Sequence, residues 1–205
     1  LSKYRNKKIW CEKPLAESIE DIDDIYKKLE SKNNKLFVDW VYTHNTAIDF
    51  IKETLKGKKI KQAVLNRTND GPVRFDCNSI WDLSSHDVSI IYKIFELDSF
   101  KVNWDEFTLK TNEKFGSNIS WSYKDGMQII INSSWQHQHK NRVSLFITEQ
   151  DEIIAFDDIA KTVTTGDGKV HDFSHDTSPL ELALDFFFTS NDFNYNKNLT
   201  YKITK

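Results

Sequence analysis

A carboxylate and an imidazole, Asp82 and His86, stand four residues apart near the middle of the chain. They lie in the segment 80–88, and an apolar pattern with helical spacing begins directly behind them. If Asp82 lies at the end of an extended segment and a helix starts near Ser84, both side chains can face one cleft. A carboxylate can orient an imidazole ring and raise its basicity, and this is the smallest arrangement that moves a proton at neutral pH. Helix capping explains the same spacing without any chemistry.

The composition limits the classes of protein to which the chain can belong. It has 205 residues, 39% of them hydrophobic, and a formal net charge of -3, which suits one large domain or one domain plus a fragment. The small negative charge argues against a nucleic-acid partner. No apolar run approaches the roughly 20 residues that span a bilayer, and residues 1–8 lack the apolar core of a signal peptide. With only two cysteines, Cys11 and Cys77, we expect a reducing, cytoplasmic location.

The first 43 residues predict one βαβ unit. Residues 8–11 and 36–42 have the pattern of strands, and residues 16–29 carry apolar side chains at helical spacing. Acids crowd the start of this helix and lysines its end, as the helix dipole favours. A strand, a helix and a strand in this length imply two parallel strands with a right-handed crossover. Two parallel strands cannot bury themselves, so something else must complete their sheet.

From residue 44 onward the pattern changes to an α+β arrangement. Helices are predicted over 45–56, 88–96 and 179–188. Most of the remainder alternates as strands, at 61–69, 102–110, 119–123, 127–135, 143–148 and 153–156. Turns at 124–126, 149–151 and 166–168 favour an antiparallel meander. The predicted fold is a βαβ remnant followed by a large, mostly antiparallel sheet with helices on one face.

Three motifs, in this order, resemble those of one known family. Glu-Lys-Pro-Leu-Ala stands at 12–16, Trp-Asp-Leu-x-x-His-Asp at 81–87, and Ser-Pro-Leu-Glu-Leu at 178–182. From about residue 8 to residue 188 the chain resembles the Gfo/Idh/MocA family of NAD(P)-dependent oxidoreductases. The resemblance implies that residues 1–43 are the C-terminal remnant of a Rossmann dinucleotide-binding domain. It implies a substrate-binding and oligomerisation domain for residues 44–205.

The resemblance also implies the chemistry of individual residues. Glu12, Lys13 and Pro14 would contact NAD or NADP, with Lys13 reaching the nicotinamide ribose and the substrate hydroxyl. The implied catalytic residues are Lys13, Asp82 and His86, and the implied substrate-binding residues are Trp81, Asp82, His86 and Tyr42. Oxidising a secondary alcohol needs a base for the hydroxyl proton while hydride leaves to the cofactor, and a nearby cation steadies the developing oxyanion. The implied substrate is a sugar, a sugar nucleotide or a similar polyol. The implied assembly is a homodimer or homotetramer through the antiparallel sheet.

The chain departs from the family pattern because it contains no Gly-x-Gly-x-x-Gly motif, which binds the pyrophosphate in a Rossmann domain. The close pair Gly166 and Gly168 lies between late strands and predicts a hairpin turn. We therefore expect the C-terminal portion of a dehydrogenase, which binds no cofactor alone and is inactive without the missing Rossmann part. The alternative is a cofactor-free binding or oligomerisation module.

Two histidine clusters raise a third hypothesis, a metal-dependent hydrolase or isomerase. His137 and His139 share one face of a strand candidate, without an evident third ligand. His171 and His175, each followed by an aspartate, lie between a turn and Pro179. A solvated strand end and an exposed loop explain these clusters more simply, so we expect no metal site.

Overall fold

The computed structural model describes residues 3–72, 74, 76–95, 101–107, 116–122 and 126–205. The chain divides into two compact units, Leu1–Asn45 with Thr177–Lys205, and Thr46–Asp176. The predicted boundary after residue 43 lies close to Asn45, where the first segment of the first unit ends. The predicted second domain, 44–205, differs from the structure, which places Thr177–Lys205 in the first unit.

The first unit is built on two parallel strands. Strand β1 (Lys8–Glu12) pairs with β2 (Lys35–Asp39) in parallel, and helix α1 (Ile19–Glu30) connects them. Ser18 caps α1 by accepting a hydrogen bond from the Asp21 amide, which satisfies a backbone donor that has no partner inside the helix. This is the βαβ unit that the sequence predicts.

Two C-terminal helices, α4 (Pro179–Thr189) and α5 (Asn194–Thr204), complete the first unit. Phe37 on β2 packs in a buried cluster with Ala183, Phe187 and Phe193. Trp10 on β1 meets the Phe187 ring edge-on, with 5.5 Å between the centroids. Aromatic rings bury large apolar areas, and this burial explains why the end of the chain joins the first unit.

A side-chain amide occupies the edge of β2. The Nδ2 of Asn196 donates to the Val38 carbonyl at 2.7 Å, and its Oδ1 accepts from the Val38 amide at 2.8 Å. One turn further along α5, Thr200 Oγ1 accepts from the indole N–H of Trp40 at 2.9 Å. These bonds fasten α5 to β2 and satisfy buried backbone groups that a neighbouring strand would otherwise satisfy. The sequence did not predict α5, because its apolar residues are few and irregularly spaced.

The second unit is an eight-stranded sheet with the order β10-β9-β8-β7-β3-β6-β5-β4. Its strands are β3 (Ile60–Asp70), β4 (Lys101–Phe107), β5 (Gly116–Ser122), β6 (Gln128–Ser134), β7 (Gln136–Thr148), β8 (Ile153–Asp157), β9 (Thr162–Thr164) and β10 (Val170–Asp172). Helices α2 (Thr46–Leu55) and α3 (Ser85–Phe95) cover one face. Phe95 of α3 contacts Phe146 of β7, and Phe50 of α2 contacts His171 of β10.

The sheet is not the simple antiparallel meander that the sequence predicts. Strand β3 lies between β6 and β7, parallel to β6 and antiparallel to β7. The other neighbouring strands pair in antiparallel fashion. Period-two alternation indicates which face of a strand is buried and says nothing of its neighbours, so this insertion could not be inferred from the pattern.

The predicted turns have different outcomes. The turn at 149–151 joins β7 to β8, and the turn at 166–168 joins β9 to β10, with Gly168 at a φ of 82°. The turn at 124–126 lies largely outside the described residues, as does the end of the predicted strand 102–110. None of the helices in the described ranges is both long and apolar enough to cross a membrane.

Candidate active site

A π-helical turn, Ile80–Ser84, leads into α3 and carries Trp81 and Asp82. His86 follows in the first turn of α3. All three predicted site residues on this segment are half-buried. The helix α3 therefore begins near Ser84, as the spacing predicts, but Asp82 lies in a π-helical turn and not at the end of an extended segment. Single π turns are frequent at functional sites.

Asp82 is held by two side-chain donors. The indole Nε1 of Trp135 donates to its Oδ2 at 2.8 Å, and Nη1 of Arg74 donates to its Oδ1 at 3.3 Å. Trp135 is buried and packs against Leu83 of the π turn. The Asp82 side chain is 19% exposed. A donor at each oxygen fixes the direction of this carboxylate while leaving part of it open to solvent.

Arg74 also binds a second carboxylate. Its Nη2 and Nε donate to the two oxygens of Asp76 at 2.6 and 3.0 Å. The hydrogen bonds with Asp76 raise the pKa of Arg74 above its usual range and lower the pKa of Asp76. The guanidinium therefore stays charged beside Asp82. The sequence analysis did not single out Arg74 or Trp135, because both lie outside the motif and meet Asp82 only in the folded chain.

Three buried serines join the π turn to the sheet. Ser84 Oγ donates to Ser133 Oγ at 3.0 Å and lies 3.2 Å from Ser117 Oγ, and the last two are 2.7 Å apart. Small side chains let the helix backbone approach the sheet closely, and their hydroxyls satisfy one another. This contact fixes the start of α3 over β5 and β6.

An ion pair fixes the next turn of the helix. Arg67 of β3 donates three hydrogen bonds to the carboxylate of Asp87, at 2.7, 3.0 and 3.1 Å. Both side chains are almost fully buried. Burial raises the pKa of the Asp87 carboxyl, and the Arg67 guanidinium counteracts that rise. Asp87 directly follows His86 in the chain, so the Arg67–Asp87 ion pair lies next to the predicted site, on its buried side.

The first unit carries the remaining predicted site residues. Glu12 ends β1 and is exposed, and it is followed by half-buried Lys13 and Pro14, which are joined to each other by a cis peptide bond. Tyr42 is buried in a 3-10 turn, Val41–His44, that follows β2. The carboxyl ends of parallel strands are the place where open α/β sheets bind ligands. A cavity of about 410 Å³ lies elsewhere in the unit, and none of these residues lines it.

A buried carboxylate that the sequence analysis did not single out lies at the same edge. Asp39 ends β2, opposite Glu12 of β1, and is 5% exposed. Its Oδ1 is buried without a hydrogen bond to any residue that the structure describes. Burial, and secondarily the charge of Glu12, raises the pKa of Asp39 from 3.8 to about 6. The available signal was an acid directly after the apolar run of a strand.

The two histidine clusters lie in the second unit. His137 and His139 are exposed on β7, with 6.4 Å between their ring centroids. His171 packs against Phe50. Within the described part of the chain, no group of three or more His, Cys, Asp or Glu side chains could hold a metal ion.

Solved structures of the same fold come from oxidoreductases. A proposed oxidoreductase from Magnetospirillum magnetotacticum MS-1 matches with a TM-score of 0.78 and 19% identity, over 97% of this chain and 70% of its own. UDP-N-acetylglucosamine 3-dehydrogenase from Acidithiobacillus ferrooxidans matches with a TM-score of 0.77 and 14% identity, over 95% and 66%. An inositol dehydrogenase homolog from Azotobacter vinelandii, complexed with NADH and myo-inositol, matches with a TM-score of 0.73 and 11% identity, over 96% and 60%.

The chain has the fold of these oxidoreductases. It spans 60% to 70% of their length. No family model matches the sequence, and no curated protein matches it. The resemblance to the Gfo/Idh/MocA family, predicted from the motifs at 12–16 and 81–87, is confirmed at the level of the fold.

Asp39→Asn is expected to stabilise the 205-residue chain at neutral pH. Because the pKa of Asp39 is higher in the folded than in the unfolded state, ionisation of Asp39 costs stability as the pH rises from about 4 through about 6. The rise from 3.8 to about 6 corresponds to at most about 3 kcal/mol. Urea denaturation near pH 7.5 should show the gain, and denaturation below about pH 4 should not.

Asp24→Asn, at an exposed position on α1, is the matched control and should change neither curve. Equal stability of Asp39→Asn and the wild type near neutral pH would contradict the assignment of a costly buried charge.

Proposed function

We propose that the chain is the C-terminal portion of an NAD(P)-dependent dehydrogenase that oxidises or reduces a sugar, a sugar nucleotide or a similar polyol. The supporting observation is the half-buried pair Asp82, on a π-helical turn, and His86, in the first turn of α3, with Asp82 oriented by Trp135 and Arg74. The shared fold adds support, because one protein of this fold was crystallised with NADH and myo-inositol.

The carboxyl ends of β1 and β2 suit the nicotinamide end of the cofactor. Glu12, Lys13 and Pro14 would hold NAD or NADP there. Asp39 adds a buried oxygen that lacks a donor among the described residues, and such an oxygen fits a ligand hydroxyl or amide. When bound, the cofactor accepts or supplies the hydride.

The remaining chemistry belongs to side chains of this chain. In the oxidation, His86 accepts the proton of the substrate hydroxyl, and in the reduction it returns the proton. Asp82 provides a fixed negative charge one helical turn away, which stabilises the imidazolium. The ammonium of Lys13 steadies negative charge on the substrate oxygen. Trp81 and Tyr42 are proposed to contact the substrate.

Turnover in the full-length protein should depend on these side chains. His86→Ala and Lys13→Ala are each expected to lower kcat about 100-fold or more, because each removes a group that acts on the transferred proton or on the oxyanion. Trp135→Phe keeps an aromatic ring, although a smaller one, and removes the donor to Asp82, so a smaller loss of about 10-fold is expected. Steady-state kinetics with polyols and sugar nucleotides measures kcat for the three variants.

The exposed His137 on β7 provides the control, and His137→Ala should leave turnover unchanged. Wild-type turnover in both His86→Ala and Lys13→Ala would refute these catalytic assignments.

Cofactor binding is proposed to need a Rossmann part that these 205 residues do not supply. The sequence holds no Gly-x-Gly-x-x-Gly motif, and β1 pairs with β2 alone among the described strands, so its other edge can accept a further strand. Titration of the 205-residue chain with NADH and NADPH, followed by fluorescence, is expected to give no saturable signal. Micromolar binding would contradict the requirement for the missing part.

A second proposal is self-association through the open face of the sheet, which is also the basis of the cofactor-free alternative. On the face opposite α2 and α3, Asn118, Asn132 and Asn66 form a row of side-chain hydrogen bonds across three strands. Beside it lie apolar side chains of β7 and β8, with Leu145 and Ile147 half-buried and Ile153 exposed. An apolar sheet face whose side chains are half-buried or exposed suits a symmetric contact with a second copy of the chain.

Ile153→Glu is expected to weaken this association and shift the chain toward the monomer, because a charge would be buried in the contact. Ile159→Glu is the control, since Ile153 and Ile159 are 48% and 50% exposed and Ile159 lies beyond the end of β8. Light scattering coupled to size exclusion measures the mass. A monomeric wild type, or equal loss of mass in both variants, would rule out the proposed contact.

A further inference from the structure

We infer that the buried Arg67–Asp87 ion pair is a positioning device that sets the direction of His86. Asp87 closes the motif at 81–87 but has no role in the proposed chemistry, and Arg67 lies outside the motifs. The catalytic meaning of this inference rests on the proposed function. The contacts from which it is drawn are those of the structure and do not depend on that function.

The pair connects the centre of the sheet to the residue beside His86. Arg67 lies on β3, between β6 and β7, and its guanidinium meets Asp87 in the first turn of α3. The two side chains are only 4% and 2% exposed. Three hydrogen bonds in a forked geometry fix both the position and the orientation of the carboxylate.

Fixing Asp87 fixes the rotation of the helix about its axis. Successive residues of an α-helix are about 100° apart around the axis, so Asp87 facing the sheet turns His86 to the flank of α3. Apolar contacts have no preferred direction, and they would let the helix roll by several degrees. The forked ion pair, together with the serine contact at Ser84, prevents such a roll.

Stability alone does not explain a charged pair at this place. Taking two charges out of water costs about as much as their attraction returns, and apolar pairs of similar volume are often as stable or more stable. A buried pair is better accounted for by the geometry that it imposes. Here the imposed geometry is that of the segment carrying Asp82 and His86.

A neighbouring arginine provides a comparison within the same sheet. Arg142 on β7 is the register partner of Arg67 on β3. Its guanidinium reaches Asp158, just after β8, at 3.4 Å, and Lys161 lies 3.6 Å from the same carboxyl group. Two arginines side by side therefore bind different elements. Arg67 binds the helix of the candidate site, and Arg142 binds the segment after β8.

The test replaces both charges at once, so that no unpaired charge stays buried. In the 205-residue chain, Arg67→Met/Asp87→Leu is compared with the matched control Arg142→Met/Asp158→Leu. The readout is the imidazole resonances of His86 in NMR spectra, assigned with His86→Ala and followed as a function of pH. We expect the first double variant to move the resonances of His86 and to shift its titration midpoint by about half a pH unit or more. Arg142 and Asp158 also act electrostatically on Asp87, so the control should leave the resonances of His86 nearly in place and shift its titration midpoint by much less than the first double variant does.

Arg67→Lys is the second variant, because it keeps the charge and loses the fork. It should shift the resonances of His86 in the same direction, by a smaller amount, and it decides the matter if the double variant does not fold. Unchanged resonances of His86 in the double variant, or the same change in the Arg142/Asp158 control, would overturn the inference.

Kinetics in the full-length protein separates this inference from the proposed function. The Arg67/Asp87 double variant is expected to lower kcat about 100-fold with little change in KM, as misplacement of a catalytic group does. If His86→Ala leaves turnover intact, the catalytic role proposed for His86 fails, and the NMR comparison still decides whether the pair positions His86.

Discussion

Much of the second unit depends on how a polar helix start is held against an apolar sheet. A buried carboxylate or hydroxyl costs stability unless a donor or acceptor meets it, so each polar group at this boundary favours a partner on the sheet. Asp87 requires Arg67, Ser84 requires Ser133, and Asp82 takes the indole of Trp135. These contacts set the height, the rotation and the direction of the segment together. The chemistry proposed for His86 is a consequence of that placement.

In the first unit, too, burial determines which elements pack together. Its two strands are too few to bury themselves, and the aromatic cluster around Phe37 brings the end of the chain back to cover one face. At the carboxyl end of the strands, Asp39 remains a buried oxygen without a donor among the described residues. Burying this carboxylate costs stability, and the carboxylate lies at the edge where ligands bind in sheets of this kind. The unsatisfied oxygen therefore lies at the edge where the cofactor is proposed to bind.

The sequence predicted the features that depend on neighbours along the chain. Periodicity gave the βαβ unit, most strands and the helix behind Asp82, because burial alternates regularly within one element. It missed the insertion of β3, the helix α5 and the partners of the site, because these depend on residues far apart in the sequence. Trp135 lies 53 residues from Asp82, and Arg67 lies 20 residues from Asp87. The chemical motif itself was visible only because both of its polar residues fall on one helical turn.

The amide of Asn196 has a consequence for how the smaller sheet can grow. An exposed strand edge is a template on which the strand of another molecule can add, and proteins protect such edges with charges, bulges or covering elements. Here one side chain occupies the donor and the acceptor of Val38, so the edge of β2 is blocked to strand addition at its centre. The two edges of this sheet therefore differ in how readily they accept a strand. Addition of a further strand is therefore favoured beside β1, and a single residue opposes the pairing of two β2 edges.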